Sequence, residues 1–503
     1  MGLLDRMRRA FGGSGVKKPA APVPVVSLRP RELKVTAGLD FGTCTTKCIL
    51  NLEDYDGGRG RRLAVVFPAT GPAPGTLCLP TTVGVTDDGF IFGEAAEALP
   101  QGQVIRSIKM AIPCMAGGWG SYHSPFISVE KPGCFRVREH EFSAVELSSL
   151  YLGVILRQVW TVLSRRLGPQ KAFAGYLNMA APLDHLAHYY QAAERASLAD
   201  ARRLVVDSAR RDTELSARYA ELAQWSLKLC KIARQSWPFL DARKALDEVR
   251  RGGTLPIEKS PAYVVPETQA AITEFINRPD TRPGHFMTFD VGAGSTDVSV
   301  FWLERHGAVI KPWYYASASL HAGMDDIDRR LEVVTRPLRG ASVRAGREAL
   351  QVSERGLARH RAHFQDVLDQ IAKHRRLTFG AAYKLAKKTR VWNDLVLLLL
   401  GGGCQVQVIR DLGATKPWVN LPKCPRVESL DLRTTDLAVL PNGSEKRLSA
   451  IPSLDGQTVL LVVAEGLATR IIDIPPYGIR VRPLFTNPPP DPEEPFKWDS
   501  YMH

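Results

Sequence analysis

Two copies of one short turn motif, 250 residues apart in the sequence, constrain the fold of this chain more than any other feature. In the first copy, the apolar segment 35–40 ends at Asp40, and the small and hydroxyl residues Gly42–Thr45 follow before a second apolar segment. In the second copy, the apolar segment 286–290 ends at Asp290, and Gly292–Thr296 follow before another apolar segment. Each copy therefore predicts a β-hairpin with an Asp-x-Gly turn at its tip.

The composition of these turns indicates phosphate binding. Glycine has no Cβ, so backbone N–H groups in such a turn can converge on an anion. An aspartate at the mouth of the turn can hold Mg²⁺, directly or through water. One Asp-x-Gly turn is usually an ordinary β-turn, so the prediction depends on the duplication. Two facing turns could hold a nucleoside triphosphate and its metal from both sides.

A third glycine-rich segment supports a nucleotide site. The apolar run Leu395–Leu400 leads directly into Gly401, Gly402 and Gly403. A strand that ends in three glycines allows the backbone to approach a flat ligand closely. We expect this segment to line an adenosine pocket.

Length and composition place the chain among globular proteins. Its 503 residues are enough for two or three domains, and 45% of them are hydrophobic. The eight cysteines are scattered without a CxxC pair, which is typical of a reduced, cytoplasmic protein. No run of apolar residues approaches 18, so a transmembrane helix is not expected.

The first 32 residues are predicted to be separate from the folded part. They contain seven Lys and Arg residues against Asp5 and Glu32. Leu3, Leu4, Met7 and Phe11 recur at helical spacing beside arginines, so residues 1–11 could form a basic amphipathic helix. Such a helix binds anionic membranes weakly or docks on a partner, although a frayed tail fits these eleven residues equally well. Residues 12–30 have the composition of a flexible linker.

The rest of the chain divides by composition into four further segments. Residues 33–184 are predicted to form a first α/β lobe, with strands at 35–40, 45–52, 63–67 and 81–85 and a helix from Ser143 to Arg166. Residues 185–260 are predicted to be a helical insertion. Residues 261–480 are predicted to be a second lobe, helical at 325–390. Residues 481–503 form a Pro-rich acidic tail with Phe496, Trp498 and Tyr501 as candidate anchors.

Arginines are frequent within the predicted insertion, at positions 195, 202, 203, 210, 211 and 218. Aromatic residues that could stack on bases are sparse there, and no nucleic-acid motif is present. A solvated helical face is the favoured interpretation, and nucleic-acid binding is not expected.

Together these motifs resemble the actin, heat-shock chaperone and sugar-kinase superfamily of ATPases. The nucleotide-binding domain of DnaK-type chaperones is the most similar member. Five further stretches carry the resemblance, in the order found in that family: 80–96, 104–109, 142–150, 265–271 and 320–329. They resemble, in turn, a strand-turn-strand unit, the segment of the catalytic lysine, a long helix, the segment of an interlobe glutamate, and a glycine-containing helix start.

The resemblance implies a two-lobed actin-like fold with duplicated mixed-sheet subdomains and a nucleotide cleft between the lobes. It covers about residues 35–470. The chain departs from the family in four respects. The stretch between Pro182 and Glu267 is longer, that between Gly323 and Gly401 is shorter, and Ser295 and Gly403 replace the usual Thr and Ser. The segment after Ala468 is too short for a peptide-binding domain, so we expect an ATPase unit without a client clamp.

The resemblance also implies a role for each site residue, with ATP or ADP and Mg²⁺ as ligands. Asp40 and Asp290 would hold Mg²⁺ through water, and Lys109 would act beside the γ-phosphate and orient the attacking water. Glu267 would order water at the lobe hinge, and Ser295 would assist the reaction from the second turn. The nucleotide would contact Gly42, Thr43, Cys44, Thr45, Gly292, Ala293, Gly294, Ser295, Thr296, Gly323, Gly401, Gly402 and Gly403.

Four functions fit these observations. The favoured one is a DnaK-like ATPase that switches the state of partner proteins, chaperone-like or regulatory. An actin-like filament-forming ATPase, membrane-tethered through residues 1–11, is the main alternative. A small-molecule kinase and a non-hydrolysing relative are the other two. A Walker-type nucleoside triphosphatase is disfavoured because the sequence has no GxxxxGK[ST] motif. The oligomeric state and the client are not indicated.

Overall fold

A computed structural model gives the fold of most of the chain. The predicted N-terminal helix and linker and the acidic tail lie outside the described residues. The described residues are 33–53, 60–68, 75–115, 124, 126–128, 130–168, 173–181, 215, 217–255, 260–278, 280–307, 309–335, 356–385, 392–418, 421, 423–432, 434–454 and 457–469.

The first large sheet has eight strands and contains the first predicted turn. Its order is β12-β10-β1-β2-β3-β18-β19, with β4 paired to β2. The strands are β1 (Leu33–Phe41), β2 (Thr45–Glu53), β3 (Arg61–Val65), β4 (Leu79–Pro80), β10 (Phe173–Ala181), β12 (Ala262–Pro266), β18 (Leu437–Val439) and β19 (Glu445–Arg447). β1 is buried along nearly all of its length, as expected for a central strand covered on both faces.

The second large sheet has five strands and contains the second predicted turn. Its order is β15-β14-β13-β16-β17. The strands are β13 (Gly284–Val291), β14 (Thr296–His306), β15 (Val309–Leu320), β16 (Val396–Leu400) and β17 (Arg426–Ser429). The strand predicted at Leu395–Leu400 is therefore confirmed, and it lies next to β13.

The two sheets share a five-strand topology. In the second sheet, β13, β14 and β15 are antiparallel neighbours, and β16 and β17 continue in parallel on the other side of β13. In the first sheet, β1, β2 and β3 are antiparallel neighbours, and β10 and β12 continue in parallel on the other side of β1. The sequence duplication therefore extends from the turns to the connectivity of both sheets.

Two small sheets complete the strands. One has the order β11-β6-β5-β7 and the other is the hairpin β8-β9. Their strands are β5 (Thr82–Val85), β6 (Gly89–Phe92), β7 (Val104–Arg106), β8 (Cys134–Val137), β9 (His140–Ser143) and β11 (Ser236–Pro238). The four strands predicted near the N-terminus of the first lobe thus correspond to β1, β2, β3 and β5.

Eleven helices are present in the described part of the chain. They are α1 (Glu94–Glu97), α2 (Ala111–Met115), α3 (Ala144–Leu167), α4 (217–229), α5 (Phe239–Arg251), α6 (Glu267–Ile276), α7 (Met324–Thr335), α8 (Gly356–Arg359), α9 (Gln365–Leu385), α10 (Gln407–Ala414) and α11 (Val462–Leu467). Short 3-10 turns occur as well, among them Ile108–Met110.

The helix predicted from Ser143 to Arg166 is confirmed as α3. Ser143 caps it: the Ser143 hydroxyl accepts from the Glu146 N–H, and the Glu146 carboxylate accepts from the Ser143 N–H. By length and composition α3 could cross a membrane, but 72% of its most apolar window is buried within the fold. Burial in the core of the first sheet therefore accounts for its apolar composition.

Alternating side chains of the second sheet pack into two layers. Met287, Phe289 and Val291 of β13 lie in one cluster with residues of α7 and α9. Leu398 and Leu400 of β16 lie in another cluster with residues of α6 and α11. Because successive side chains of a strand point to opposite faces, both faces of the sheet are apolar, and helices pack on each of them.

Two expected domain boundaries differ from the structure. The described part of the predicted insertion 185–260 belongs to the first core: β11 pairs with β6, and α4 and α5 contribute to the same apolar cluster as α3. The predicted second lobe 261–480 also returns to the first sheet, because β18 pairs with β3. These pairings join residues that are distant in sequence, and composition does not indicate them.

Candidate functional site

The first predicted turn is a tight connection between β1 and β2. The Gly42 N–H donates to the Thr45 carbonyl at 3.1 Å. A Cβ on Gly42 would lie 2.5 Å from that carbonyl oxygen, so the turn requires glycine. Asp40 lies opposite Lys47 in the hairpin register, and the Lys47 ammonium donates to Asp40 Oδ2 at 2.8 Å.

The second turn closes in the same way. The Gly292 N–H donates to the Ser295 carbonyl at 2.8 Å, and Asp290 lies opposite Asp297 in the register. The start of α7 supports this turn, because the Met324 N–H donates to the Gly292 carbonyl at 3.0 Å. Both copies therefore place a carboxylate, a glycine turn and a second titratable side chain at equivalent positions.

Both turns face one cavity of about 900 Å³. This is large enough for a nucleotide-sized ligand. The cavity is lined by most of the residues predicted for the site: Asp40, Gly42, Thr43, Cys44, Thr45, Lys109, Glu267, Asp290, Gly292, Ala293, Ser295, Gly401, Gly402 and Gly403.

Three predicted ligand residues are adjacent to the cavity but do not line it. Gly294 faces the other turn, since a Cβ there would lie 2.9 Å from Thr43 Cγ2. The Thr296 hydroxyl is buried and donates to the Ala322 carbonyl at 2.7 Å. Gly323 packs against the second turn, where a Cβ would lie 2.4 Å from the Ala293 carbonyl oxygen. These residues support the turns by packing and hydrogen bonding.

The triple-glycine segment comes close to the second aspartate. Gly401 has a φ of +75°, and a Cβ there would lie 2.2 Å from Asp290 Oδ1. Gly402 has more space, with Leu460 at 3.3 Å as its nearest neighbour. Six further apolar residues form part of the cavity wall: Leu357, Val406, Val408, Val459, Leu460 and Val463. A flat ring could lie against this wall beside the glycine backbone.

Lys109 and Glu267 form an ion pair inside the cavity. Lys109 lies on the 3-10 turn after β7, and Glu267 is the first residue of α6. Their side chains are only 6% and 17% exposed. The pairing confirms that the two residues lie together, although they are far apart in sequence.

A strained residue precedes Lys109. Ser107 has a φ of +51°, which is uncommon for a residue other than glycine. Its hydroxyl donates to Asp325 Oδ2 at 2.9 Å. This contact links the segment that carries Lys109 to α7, which supports the second turn.

Sequence reasoning missed Lys47 and Asp297, which also line the cavity. Burial alone lowers the pKa of Lys47, but the charge of Asp40 opposes it and the net pKa is raised. Burial and the charge of Glu267 raise the pKa of Asp297 to about 7. Burial and the charge of Asp297 raise the pKa of Asp290 well above its usual range. The signal that could have found both residues is the hairpin register, seven positions after each aspartate.

The cavity contains more carboxylates than cations. Seven carboxylates and three cations line it: Asp40, Glu267, Asp290, Asp297, Asp325, Asp328 and Asp411, against Lys47, Lys109 and Arg361. In the described part of the chain, no group of three or more His, Cys, Asp and Glu side chains is arranged to hold a metal directly. Oxygen donors such as these suit a hydrated Mg²⁺ ion.

The cysteines have no disulfide partners. All eight lie in the described residues, and none of them forms a disulfide bond there. Cys44 lines the cavity, and Cys48 is buried in β2.

Comparison with protein-family models and with curated proteins gave no match to this chain.

Proposed function

We propose that this chain is an ATPase with a two-lobed actin-like fold, similar to the nucleotide-binding domain of DnaK-type chaperones. It binds ATP with Mg²⁺ in the cavity between the two turns and hydrolyses it. One observation carries the proposal: two turns closed by the same Gly-to-carbonyl hydrogen bond end equivalent hairpins in sheets of the same topology, and both face one cavity.

The turns are suited to polyphosphate. Gly42 and Gly292 keep side chains away from the backbone where anion oxygens would approach, and the hydroxyls of Thr43 and Ser295 add donors. Lys47 and Lys109 bring positive charge to the same cavity. Phosphoryl transfer depends mainly on positioning and charge stabilisation, and these groups provide both.

The donor set fits magnesium. Asp40 and Asp290 are the residues that would hold it, through water, at the mouths of the two turns. When bound, Mg²⁺ would neutralise part of the charge of the phosphates. The glycine at position 401 leaves the Asp290 carboxylate accessible, because any side chain there would collide with Oδ1.

Lys109 and Glu267 are the candidates for acting on the attacking water. Their ion pair fixes the ammonium group inside the cavity and keeps the Glu267 carboxylate oriented toward it. In the proposed reaction the Lys109 ammonium stabilises charge that develops on the transferred phosphoryl group, and Glu267 orients water. Ser295 donates to Asp297 Oδ2 at 3.1 Å and assists from the second turn.

The proposed output is a conformational switch that acts on partner proteins. A nucleotide changes a conformational equilibrium only through its different affinities for the two states. Both turns contribute to the cavity, so ATP and ADP would contact both sheets to different extents.

The decisive experiment measures ATP binding by calorimetry and phosphate release at steady state, with and without Mg²⁺. Asp40→Asn and Asp290→Asn should each lower Mg²⁺-dependent hydrolysis by about 100-fold or more, since each removes a carboxylate that would hold the hydrated Mg²⁺ ion beside the phosphates. Asp241→Asn is the matched control, because Asp241 forms an exposed ion pair with Arg234 away from the cavity. Full activity in both site variants would overturn the proposal.

The same preparation separates the alternatives. Phosphate that appears on an added acceptor rather than on water would indicate a kinase. ATP-dependent light scattering would indicate a filament former. Binding without phosphate release would indicate a non-hydrolysing relative.

A further inference from the structure

A second cavity of about 1020 Å³ lies on the first sheet. It is near the start of β10, whereas the opposite end of this strand is the one that approaches the turns. It is bounded by the second half of α3, by the end of α4, and by Gly175 of β10. We call it the basic groove. Its floor includes Trp160, which packs over Gly175: a Cβ on Gly175 would lie 3.2 Å from the indole ring.

The rim of the basic groove carries one sign of charge. Four cationic side chains line it: Arg157, Arg165, Lys228 and Lys231. Among its described lining residues there is no aspartate or glutamate. Leu255, which also lines it, is an unusually exposed apolar side chain at 48%. An apolar floor with a positive rim suits a segment that combines aromatic anchors with negative charge.

The chain itself contains two segments with apolar anchors, and charge distinguishes them. Residues 1–11 combine Leu3, Leu4, Met7 and Phe11 with arginines, and a basic rim would repel them. Residues 487–503 combine Phe496, Trp498 and Tyr501 with four carboxylates and one lysine, Lys497. Complementarity therefore favours the acidic segment as the occupant.

The length of the chain also permits this occupant. Thr469 is held beside β10, because Asn178 Nδ2 donates to the Leu467 and Thr469 carbonyls at 2.7 and 2.9 Å. Gly175 lies three residues from Asn178 on β10, a distance of about 10 Å along the strand. The two residues point to opposite faces of the sheet, so the segment must pass around it. Residues 470–486 can span about 55 Å when extended, which is enough.

We propose that residues 487–503 dock in the basic groove of the same molecule, with aromatic side chains on its floor and carboxylates at its rim. This proposal is independent of the proposed ATPase function. The segment contains one trypsin site, after Lys497, and this site reports on docking. A protease acts on the undocked state, so a segment that is docked nine-tenths of the time is cut about tenfold more slowly.

The test uses the full-length protein without nucleotide, and mass spectrometry follows cleavage after Lys497. Each rate is divided by that of a free peptide with the same 487–503 sequence. We expect the wild-type ratio to be about one-tenth. Arg157→Glu with Lys231→Glu should bring the ratio close to one. Asp491→Lys with Glu494→Lys, added to that double variant, should restore protection; each new lysine precedes a proline, so trypsin gains no site. Lys244→Glu with Lys373→Glu is the matched control, since both lysines are exposed outside the groove and the charge change is the same.

Three outcomes would overturn the proposal. A wild-type ratio near one would show that the segment is not docked. Protection that survives charge reversal of the groove would place the segment elsewhere. Protection that disappears on dilution would assign the groove to the segment of a second copy.

Discussion

The two hairpins differ at one register position, and the difference determines the charge of the cavity. Asp40 faces Lys47 in the first hairpin, whereas Asp290 faces Asp297 in the second. The first pair is an ion pair, while the second places two partly buried carboxylates together. The second turn is therefore the side of the cavity that gains most from a bound cation.

The first prediction concerns Asp297 and pH. Its folded-state pKa is raised, so the folded state holds the proton more tightly than the unfolded state. The stabilising contribution of that proton is complete below the usual aspartate pKa and is lost as pH rises through about 7. Asp297→Asn should therefore raise the melting temperature of the nucleotide-free protein at pH 8 and leave it nearly unchanged at about pH 3, below the usual aspartate pKa.

Thermal unfolding of both proteins across this pH range checks the prediction. At pH 8 the free energy of unfolding of Asp297→Asn should exceed that of the wild type by on the order of 1–4 kcal/mol, since one pKa unit corresponds to about 1.4 kcal/mol. A difference in melting temperature between the two proteins that does not vary with pH would contradict the raised pKa of Asp297.

The second prediction separates charge pairing from catalysis at Lys109. Lys109→Met leaves Glu267 without this partner in a mostly buried position and should cost about 3 kcal/mol of stability. Lys109→Met combined with Glu267→Gln should recover much of that loss, as measured by urea unfolding. Turnover should stay low in both variants, and ATP affinity should change far less than turnover. Recovered turnover in the double variant would assign Lys109 a structural role only.

At the scale of elements, α6 and α11 cross in direct backbone contact. A Cβ on Gly466 of α11 would lie 1.8 Å from the Ala270 carbonyl oxygen of α6. α11 also packs closely on β1, where a Cβ on Gly38 would lie 2.3 Å from the Ala464 carbonyl oxygen. The crossing thus depends on two glycines that no local pattern requires.

The third prediction concerns this crossing. Gly466→Ala must push the helices apart and should lower the free energy of unfolding by about 3 kcal/mol. Gly102→Ala is the control: nothing lies within 4 Å of a Cβ there, so its effect should stay within about 0.5 kcal/mol. Equal stability of the two variants in urea unfolding would contradict the close crossing.

Local signals predicted the elements near the site well. Apolar runs and turn residues that are close together in the sequence predict the hairpins β1-β2 and β13-β14, the strand β16 and the helix α3. The apolar composition of Val459–Ala468 fits a strand or a buried helix equally well, and in the structure this segment forms a 3-10 turn followed by α11.

Distant pairings account for what the sequence did not predict. β11 joins β6, and β18 joins β3, through hydrogen bonds between segments whose compositions do not identify a partner. Lys47 and Asp297 were missed for a related reason: their importance comes from the residue across the hairpin, not from their own neighbours in sequence.

At the scale of the whole molecule, the proposed switch predicts different states with ATP and ADP. Limited proteolysis in saturating ATP, in ADP and without nucleotide should give different cleavage rates, with the largest changes in residues 185–260 and near Glu267. The physical reason is that α6 begins at Glu267 inside the cavity and crosses α11 outside it. Asp290→Asn, which should weaken the Mg²⁺-nucleotide complex, is the control. Identical patterns in all three states would count against a switch.

The return of β18 to the first sheet has a consequence for biosynthesis. Leu63 and Leu437 are register partners, and the whole second sheet is encoded between them. A ribosome releases the chain from its N-terminus, so the first sheet to begin is the last to be completed. Until residues 437–447 emerge, β3 has an open edge, and an open edge can pair with other chains. Nascent chains that stall before this point should therefore depend on protection by other factors, whereas those that pass it can close the edge themselves.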